Sequence, residues 1–404
     1  MKGEPRRAAR AFLLAVALTA AVATCGWVPT VASWASSSRS SALASSHPAP
    51  ALLTPMATSV RTSDGMWATI PMGNLDQSRN TFWQLFFRPT GAVSWSDQVQ
   101  ATATATNGGL VLASGEGKSL IVGVRPSQGL TFSPLISTSD GARSWSDGLI
   151  TEALAARPDA LAADAGGQVL AVVDAAGGGQ VLTADGGLST WRRLATQRWL
   201  STGVGRECGV NLITAVGFRA GQPLIGATCS RPGVVGLFSY RSGAWRLAGP
   251  ALPSSLDLGS VEVLALEPGG ARPSALLAVG QGHRARLVAA WSAAGGHWST
   301  SPPLTLGPDE HLVSLGPAPG AGIFVLLSSA SGRESLAVSR PSGAWQQLPS
   351  PPGGTETVAF GTGQPVTALA ASATVLTVWS LRSSSGLWVK TQVTSVPIQY
   401  GSSS

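Results

Sequence analysis

The chain has 404 residues, of which 44% are hydrophobic and only 12% charged, and its formal net charge is +7. Residues 1–35 carry Lys2, Arg6, Arg7 and Arg10 against Glu4, so the remainder holds about +4 with no basic run. That balance argues against nucleic acid as the main partner, and the four histidines show no metal-ligand spacing.

Arg6, Arg7 and Arg10 precede the apolar run Ala11 to Thr24, which is too short to span a bilayer as a helix. Residues 1–35 therefore read as a signal peptide, with a retained membrane anchor as the rival. Val31-Ala32-Ser33 and Ser33-Trp34-Ala35 suit ordinary cleavage. Val22-Ala23-Thr24-Cys25-Gly26 resembles a bacterial lipobox and makes Cys25 a candidate lipidation site, although Thr24 departs from the small residue of that pattern. Residues 36–58, rich in Ser, Ala and Pro, have too little apolar periodicity to bury anything and read as a disordered leader or tether. Setting Cys25 aside leaves Cys208 and Cys229, an even pair in a compartment where disulfides persist. A bond between them is expected, with two buried free thiols as the alternative. The expected location is extracytoplasmic, secreted or as a cell-surface lipoprotein whose only membrane contact is the N-terminal lipid.

Residues 59–396 consist of short apolar runs separated by Gly, Pro, Ser and Asp, such as Leu110 to Ala113, Leu120 to Val124, Val169 to Val173, Ala275 to Val279, Ile323 to Leu327 and Val375 to Val378. Such punctuation predicts many strands and no long helix. A hairpin with a Gly-containing turn running into Trp recurs at Trp95, Trp145, Trp191, Trp245, Trp298, Trp345 and Trp388, at intervals of 50, 46, 54, 53, 47 and 43 residues. Those intervals bracket a four-stranded blade. A single such sheet leaves both faces uncovered, and radial closure covers them. The predicted fold is thus all-β, a seven-bladed β-propeller of four-stranded antiparallel blades, followed by a tail over residues 397–404. Trp67, too close to Trp95 for a whole blade, either begins the first blade or lends a strand to the last.

The Trp145 copy, with Thr138, Asp140 and Trp145 at the expected spacing, resembles the Asp-box or BNR repeat of sialidase-like propellers, Ser-x-Asp-x-Gly-x-Thr-Trp. Gly141 stands one place early and Ala142 takes the family glycine's position. Thr183, Asp185, Gly187 and Trp191 match with one extra residue, and the other copies keep Gly and Trp but lose Asp. The parts explain themselves structurally: Asp accepts the N–H groups of its own turn, Gly tolerates positive φ, and Trp buries area while its N–H finds a partner. The resemblance implies that Asp140 and Asp185 stand away from any catalytic centre.

Sialidases resembling this layout use three arginines, a Tyr nucleophile with its Glu, and an Asp acid/base. Arg88, Arg125 and Arg231 are candidates to converge, since each precedes Pro after a strand-like run, a pattern that also fits strand ends entering loops. The only tyrosines, Tyr240 in a marker hairpin and Tyr400 in the tail, stand where no nucleophile is expected, so the catalytic set does not carry over. A general glycosidase needs two carboxylates, and the loop candidates are Asp76, Asp97, Glu152, Glu207, Asp257, Glu267, Asp309 and Glu310. Neither a phosphate loop nor a nucleophile elbow is present, and no cofactor or metal is called for. The expected function is a binding or assembly module for a protein or a cell-envelope glycan, with an exported sialidase-like glycoside hydrolase as the alternative. The segment Met66 to Arg88, dense in Met, Trp and Phe, marks the candidate ligand site as Asp76 and Trp83 with Arg88, Arg125 and Arg231; the competing reading is that its aromatics cement the ring. Trp67, Trp83, Trp199, Trp291 and Trp379, the tryptophans beyond the markers, are candidates for stacking on sugar rings or anchoring a partner, with burial in the core as the rival for each.

Overall fold

A computed structural model describes residues 56–397, apart from 75–79, 99–105, 116, 126–130, 186, 255, 257–258, 268–271, 281–284, 294–295 and 342. Residues 1–35, read as a signal peptide, with Cys25 among them, nearly all of residues 36–58, read as a leader, and Asp76, Asp257 and Tyr400 lie outside the described residues. Those described fall in one unit, residues 46–404.

Strands dominate, and every sheet is antiparallel and built from up-and-down meanders. The first sheet is Thr58–Thr62, Gly65–Gly73, Thr81–Pro89 and Ser96–Gln98, and the second is Leu110–Ser114, Leu120–Val124, Ser133–Thr138 and Ser146–Ile150. The third comprises Leu161–Ala163, Gln168–Ala175, Gly178–Asp185 and Arg192–Thr196, with the short strand Ala153–Leu154 beside its second member. A nine-stranded sheet follows. It holds a meander from Val210–Arg219 to Ala244–Leu247 and another from Val261–Glu267 to Trp298–Thr300, joined where Thr228 and Cys229 pair with Glu262 and Val261. The last two sheets run from Glu310–Ala318 to Gln346–Leu348 and from Thr355–Ala359 to Leu387–Ser395.

The leading strands of the meanders form a closed circuit. Thr58–Thr62 packs against Leu110–Ser114, which packs against Leu161–Ala163, and the sequence continues through Val210–Arg219, Val261–Glu267, Glu310–Ala318 and Thr355–Ala359 back to Thr58–Thr62. Buried hydroxyls stitch this inner circuit. Ser114 Oγ donates to the Arg61 carbonyl at 2.8 Å, Thr214 Oγ1 to Val263 at 2.6 Å and Ser59 Oγ to Val358 at 2.8 Å, while Ser314 and Thr357 share a 2.7 Å bond. Such side chains bond to neighbouring backbone without disturbing their own strand's ladder.

Burial falls from the inner strands outward, which explains the sequence pattern. All seven residues of Val261–Glu267 and all six of Ser274–Val279 are buried, because neighbouring sheets cover both faces. The outer strand Leu387–Ser395, by contrast, has no fully buried residue. Small residues occupy the closest approaches: a Cβ on Gly226 would lie 2.6 Å from Val263 Cγ1, and one on Gly123 would lie 2.6 Å from both Leu154 Cδ1 and Leu161 Cδ1.

Trp67 sits in Gly65–Gly73 and so belongs to the first sheet, which decides between the two roles open to it in the sequence. The first sheet is built wholly from the N-terminal side and the last from the C-terminal side. Met66, Ala68, Ile70, Met72 and Phe86 face Leu369, Leu376 and Val378 of the last sheet, and the alternate residues Trp67, Leu85 and Phe87 face the second sheet. Gln392 seals this seam by accepting from Trp95 N at 2.8 Å and donating to Trp95 O at 2.7 Å, and Gly73 N donates to Ala373 O at 2.8 Å.

One short helix, Gln197–Thr202, is capped by Thr196, whose hydroxyl accepts from Trp199 N. Beyond it Cys208 and Cys229, both fully buried, form a disulfide across 21 residues. Constraint of that loop in the unfolded chain is worth about 3 kcal/mol. Replacing both cysteines with alanine is therefore expected to lower unfolding free energy by about that amount, measured by urea titration; a midpoint unchanged from wild type would count against it.

Candidate functional site

The inner strands surround a cavity of about 270 Å³. Six of the seven inner strands contribute lining residues directly, and the Gly361–Gln364 turn after the seventh completes the wall. Thr58, Ser59, Thr62, Ser63 and Ser114 place hydroxyl-bearing residues around it, and Leu112, Phe218 and Leu315 supply apolar surface. Its charged members are Arg61, Asp159 and Glu267.

Asp159 leads into Leu161–Ala163, and Glu267 ends Val261–Glu267, more than 100 residues later. Ring curvature brings them together. Asp159 Oδ2 accepts the Leu266 N–H at 2.5 Å, and its own carbonyl accepts from Val216 N at 3.1 Å. Glu267 is 8% exposed. Burial pushes the Asp159 carboxyl up to about 7, against the lowering effect of the Leu266 N–H. Burial, and then the Asp159 charge, raise Glu267 well above the carboxylate range. Both shifts favour the protonated acids over the carboxylates in this buried setting. Opposite, the Arg61 guanidinium donates to Thr362 Oγ1 at 3.0 Å.

Of the ligand residues expected from the sequence, none of the four that are described, Trp83, Arg88, Arg125 and Arg231, lines this cavity. Trp83 is buried between the first and second sheets, its backbone N–H and carbonyl both bonded to the Thr106 hydroxyl, so it is a packing residue and not a stacking platform. Arg88 is 2% exposed in the closure seam, with its guanidinium 5.1 Å from the Trp95 ring centroid and its Nη1 donating to Thr367 Oγ1 at 3.4 Å. Burial lowers it to about 10. Arg125 is buried too, donating to the carbonyls of Ala155 and Arg157, and is lowered to about 9 by burial and then by Arg157. Arg231 is exposed beside the disulfide, its N–H on the Cys208 carbonyl. These three arginines meet different parts of the ring and form no carboxylate clamp. Trp291 is buried, Trp379 half-buried, and Trp199 stands 49% exposed on the helix. Tyr240 packs at 5.2 Å against Trp245.

The marker hairpins stand at the entrance to every outer strand: Trp95, Trp145, Trp191 and Trp345 immediately precede one, and Trp245, Trp298 and Trp388 lie within the first two residues of one. The expectation that each indole N–H is satisfied is met at Trp191, Trp345 and Trp388, which donate to the carbonyls of Leu188, Pro302 and Pro349. It fails at Trp95, Trp245 and Trp298, whose N–H groups are buried without a partner. Ring-face contacts hold the first two of these, with Arg88 over Trp95 and Tyr240 against Trp245. Asp140 behaves as its turn chemistry requires. Its Oδ1 accepts from Arg143 N and Ser144 N at 3.0 Å each and its Oδ2 from the Ser144 hydroxyl at 2.6 Å, bonds that lower it to about 2. Asp185 differs: in a turn one residue longer, its carboxylate faces Arg192 at 3.9 Å, with both side chains exposed.

No protein-family model matches the chain, and no curated protein matches it. Among solved structures, the GH74 xyloglucanase of Xanthomonas campestris superposes with a TM-score of 0.54 at 11% identity over 81% of this chain, which spans 52% of that enzyme. A protein from Lactobacillus plantarum superposes with a TM-score of 0.51 at 11% identity, covering 82% of this chain and 96% of the other. A weaker likeness, with a TM-score of 0.47 and 10% identity, links it to the β-propeller domain of the Trilobed protease from Pyrococcus furiosus. The closed circuit of antiparallel meanders decides the architecture. The fold is that of a β-propeller. At 11% identity the first two likenesses bear on fold alone.

Two expectations follow from the titratable and strained groups. Glu262, fully buried with both carboxyl oxygens unpartnered, is raised by burial to about 8, and Glu356, by burial and Glu334, to about 7. These acids keep their protons in the folded state while the unfolded chain releases them, so stability is lost as pH rises from about 4 to about 8. Glu262→Gln is expected to leave the melting temperature near pH 5 unchanged and to stabilise the protein near pH 8 by on the order of 3 kcal/mol; calorimetric scans at both pH values give the comparison. Ala142 holds φ at 70°, the left-handed region. Ala142→Gly is expected to raise unfolding free energy by about 1 kcal/mol in the same scans, and a decrease would show that the strain lies elsewhere.

Proposed function

We propose that this chain is an exported binding module, a propeller of seven blades whose central cavity takes a sugar unit of a cell-envelope glycan. Counting the two meanders of the nine-stranded sheet separately supports the blade number. The observation that carries the binding role is the cavity itself, walled by every inner strand or the turn after it and mixing hydroxyls, apolar surface and a carboxyl pair. A few convergent polar groups in an otherwise apolar concavity are what small-ligand sites require. The Cys208–Cys229 disulfide supports a location outside the cytoplasm. The hairpin around Asp140, with its carboxylate on its own turn's N–H groups, supports kinship with Asp-box propellers. A protein partner bound on the loops is the other form of the same module, with exposed Trp199 as its anchor.

One observation favours a second reading. Asp159 and Glu267 line one cavity and both are pushed toward the protonated form, and a carboxyl pair split between acid and base is the equipment of a glycoside hydrolase. A panel of fluorogenic glycosides, run beside a glycan array, separates the two. The binding module is expected to retain glycans on the array with no turnover, and Ser114→Trp, which fills the cavity wall, is expected to reduce retention by at least about tenfold. Turnover that is lost in Glu267→Gln would establish the hydrolase instead.

A further inference from the structure

Among the described residues the carboxyl pair has no counter-ion of its own. Glu267 is 8% exposed, lines the cavity and accepts no hydrogen bond from any described residue. Asp159 has committed Oδ2 to the Leu266 N–H, which leaves Oδ1 for a ligand. The cavity's single basic lining residue, Arg61, is occupied with Thr362. Among the described residues the one ion pair, Arg192 with Asp185, stands at the surface. A buried carboxylate without a cation is costly, and the cost is relieved either by a proton or by a positive charge brought from outside.

Taking the cavity as the binding site, on which this step rests, we propose that Asp159 and Glu267 are a receptor for a primary ammonium group, and that the ligand is an aminated, sugar-sized polyol such as the glucosamine unit of a deacetylated amino-sugar polymer. An ammonium has three donors and needs three acceptors in a small arc, which Asp159 Oδ1 and the two Glu267 oxygens supply. Ligand hydroxyls meet Thr58, Ser63 and Ser114, and the ring's C–H face meets Leu112, Phe218 and Leu315. A divalent metal fits less well. Calcium takes six to eight oxygens, and no group of three or more acidic, His or Cys ligands exists among the described residues. A proton competes with the ammonium for the same carboxyls, as their raised titration indicates.

The test compares the full-length protein's binding of a glucosamine trimer and its fully N-acetylated counterpart by isothermal titration calorimetry. The two probes have the same linkage and differ in charged amine against neutral acetamide. Near pH 7.5 the glucosamine trimer is expected to bind at least about tenfold more tightly than the acetylated one. The preference is expected to shrink on acidification to about pH 5, where the pair is protonated even though the amine is then fully charged. Asp159→Asn and Glu267→Gln, each close to the protonated side chain in shape, are expected to erase the preference while retaining the wild-type circular dichroism spectrum. Equal affinities for the two trimers, or a preference that survives both substitutions, would overturn the ammonium receptor and leave the cavity standing as a site for neutral glycans. Absence of binding by either trimer, with an empty glycan array, would overturn both. Tight binding of calcium chloride that is lost in Asp159→Asn would reassign the pair to a metal. The wild-type comparison decides the matter even if a variant fails to fold.

Discussion

Everything in this molecule depends on covering two apolar faces of each sheet at once. A meander such as Val261–Glu267 with Ser274–Val279 has no polar face to give to water. A stack of such sheets always leaves two ends bare, and only a circuit removes them. The hydroxyls that cross between inner strands, Thr214 to Val263 or Ser59 to Val358, then fix how closely neighbours approach. Gly123 and Gly226 permit that approach where a methyl group would collide. The cavity is a by-product of the same closure, because inner strands set edge to edge around an axis leave a gap that side chains fill only in part.

The inner ring also explains the unusual treatment of charge. Arg88, Glu262 and Glu334 are buried with at least one polar atom unpartnered, and Arg125 reaches only carbonyls. In each case burial moves the group toward its neutral form. Such groups cost stability, and they concentrate between sheets and at inner strands, not on the outer ones. The Asp159 and Glu267 pair is the extreme instance, since there two buried acids line one cavity and the second is raised further by the charge of the first.

The architecture was legible because its marker is repeated: a tryptophan at the entrance to each outer strand marks the end of one meander, and its chemistry depends on its own hairpin. Even the aromatic stretch from Met66 to Phe87 resolves into alternating contacts with the last and second sheets, as a strand's period of two dictates. The cavity pair was not legible. Glu267 stood among eight loop carboxylates with nothing to distinguish it, and Asp159 drew no notice behind an Arg-Pro pair of a kind found throughout the chain. Their meeting depends on curvature accumulated over two blades, which no local pattern encodes. The arginines misled for the opposite reason: Arg88 and Arg125 do occupy conspicuous positions, but as buried pillars between sheets.

The seam at which the circuit closes shapes how the chain is made. Of the described sheets, the first to be synthesised carries Met66, Ile70, Met72 and Phe86 on a face whose cover is the last of them. Until residues 355–395 are made that oily flank stays open, and a product truncated before residue 355 leaves it bare. Chains caught at that stage expose the kind of apolar surface that draws chaperones and seeds aggregation.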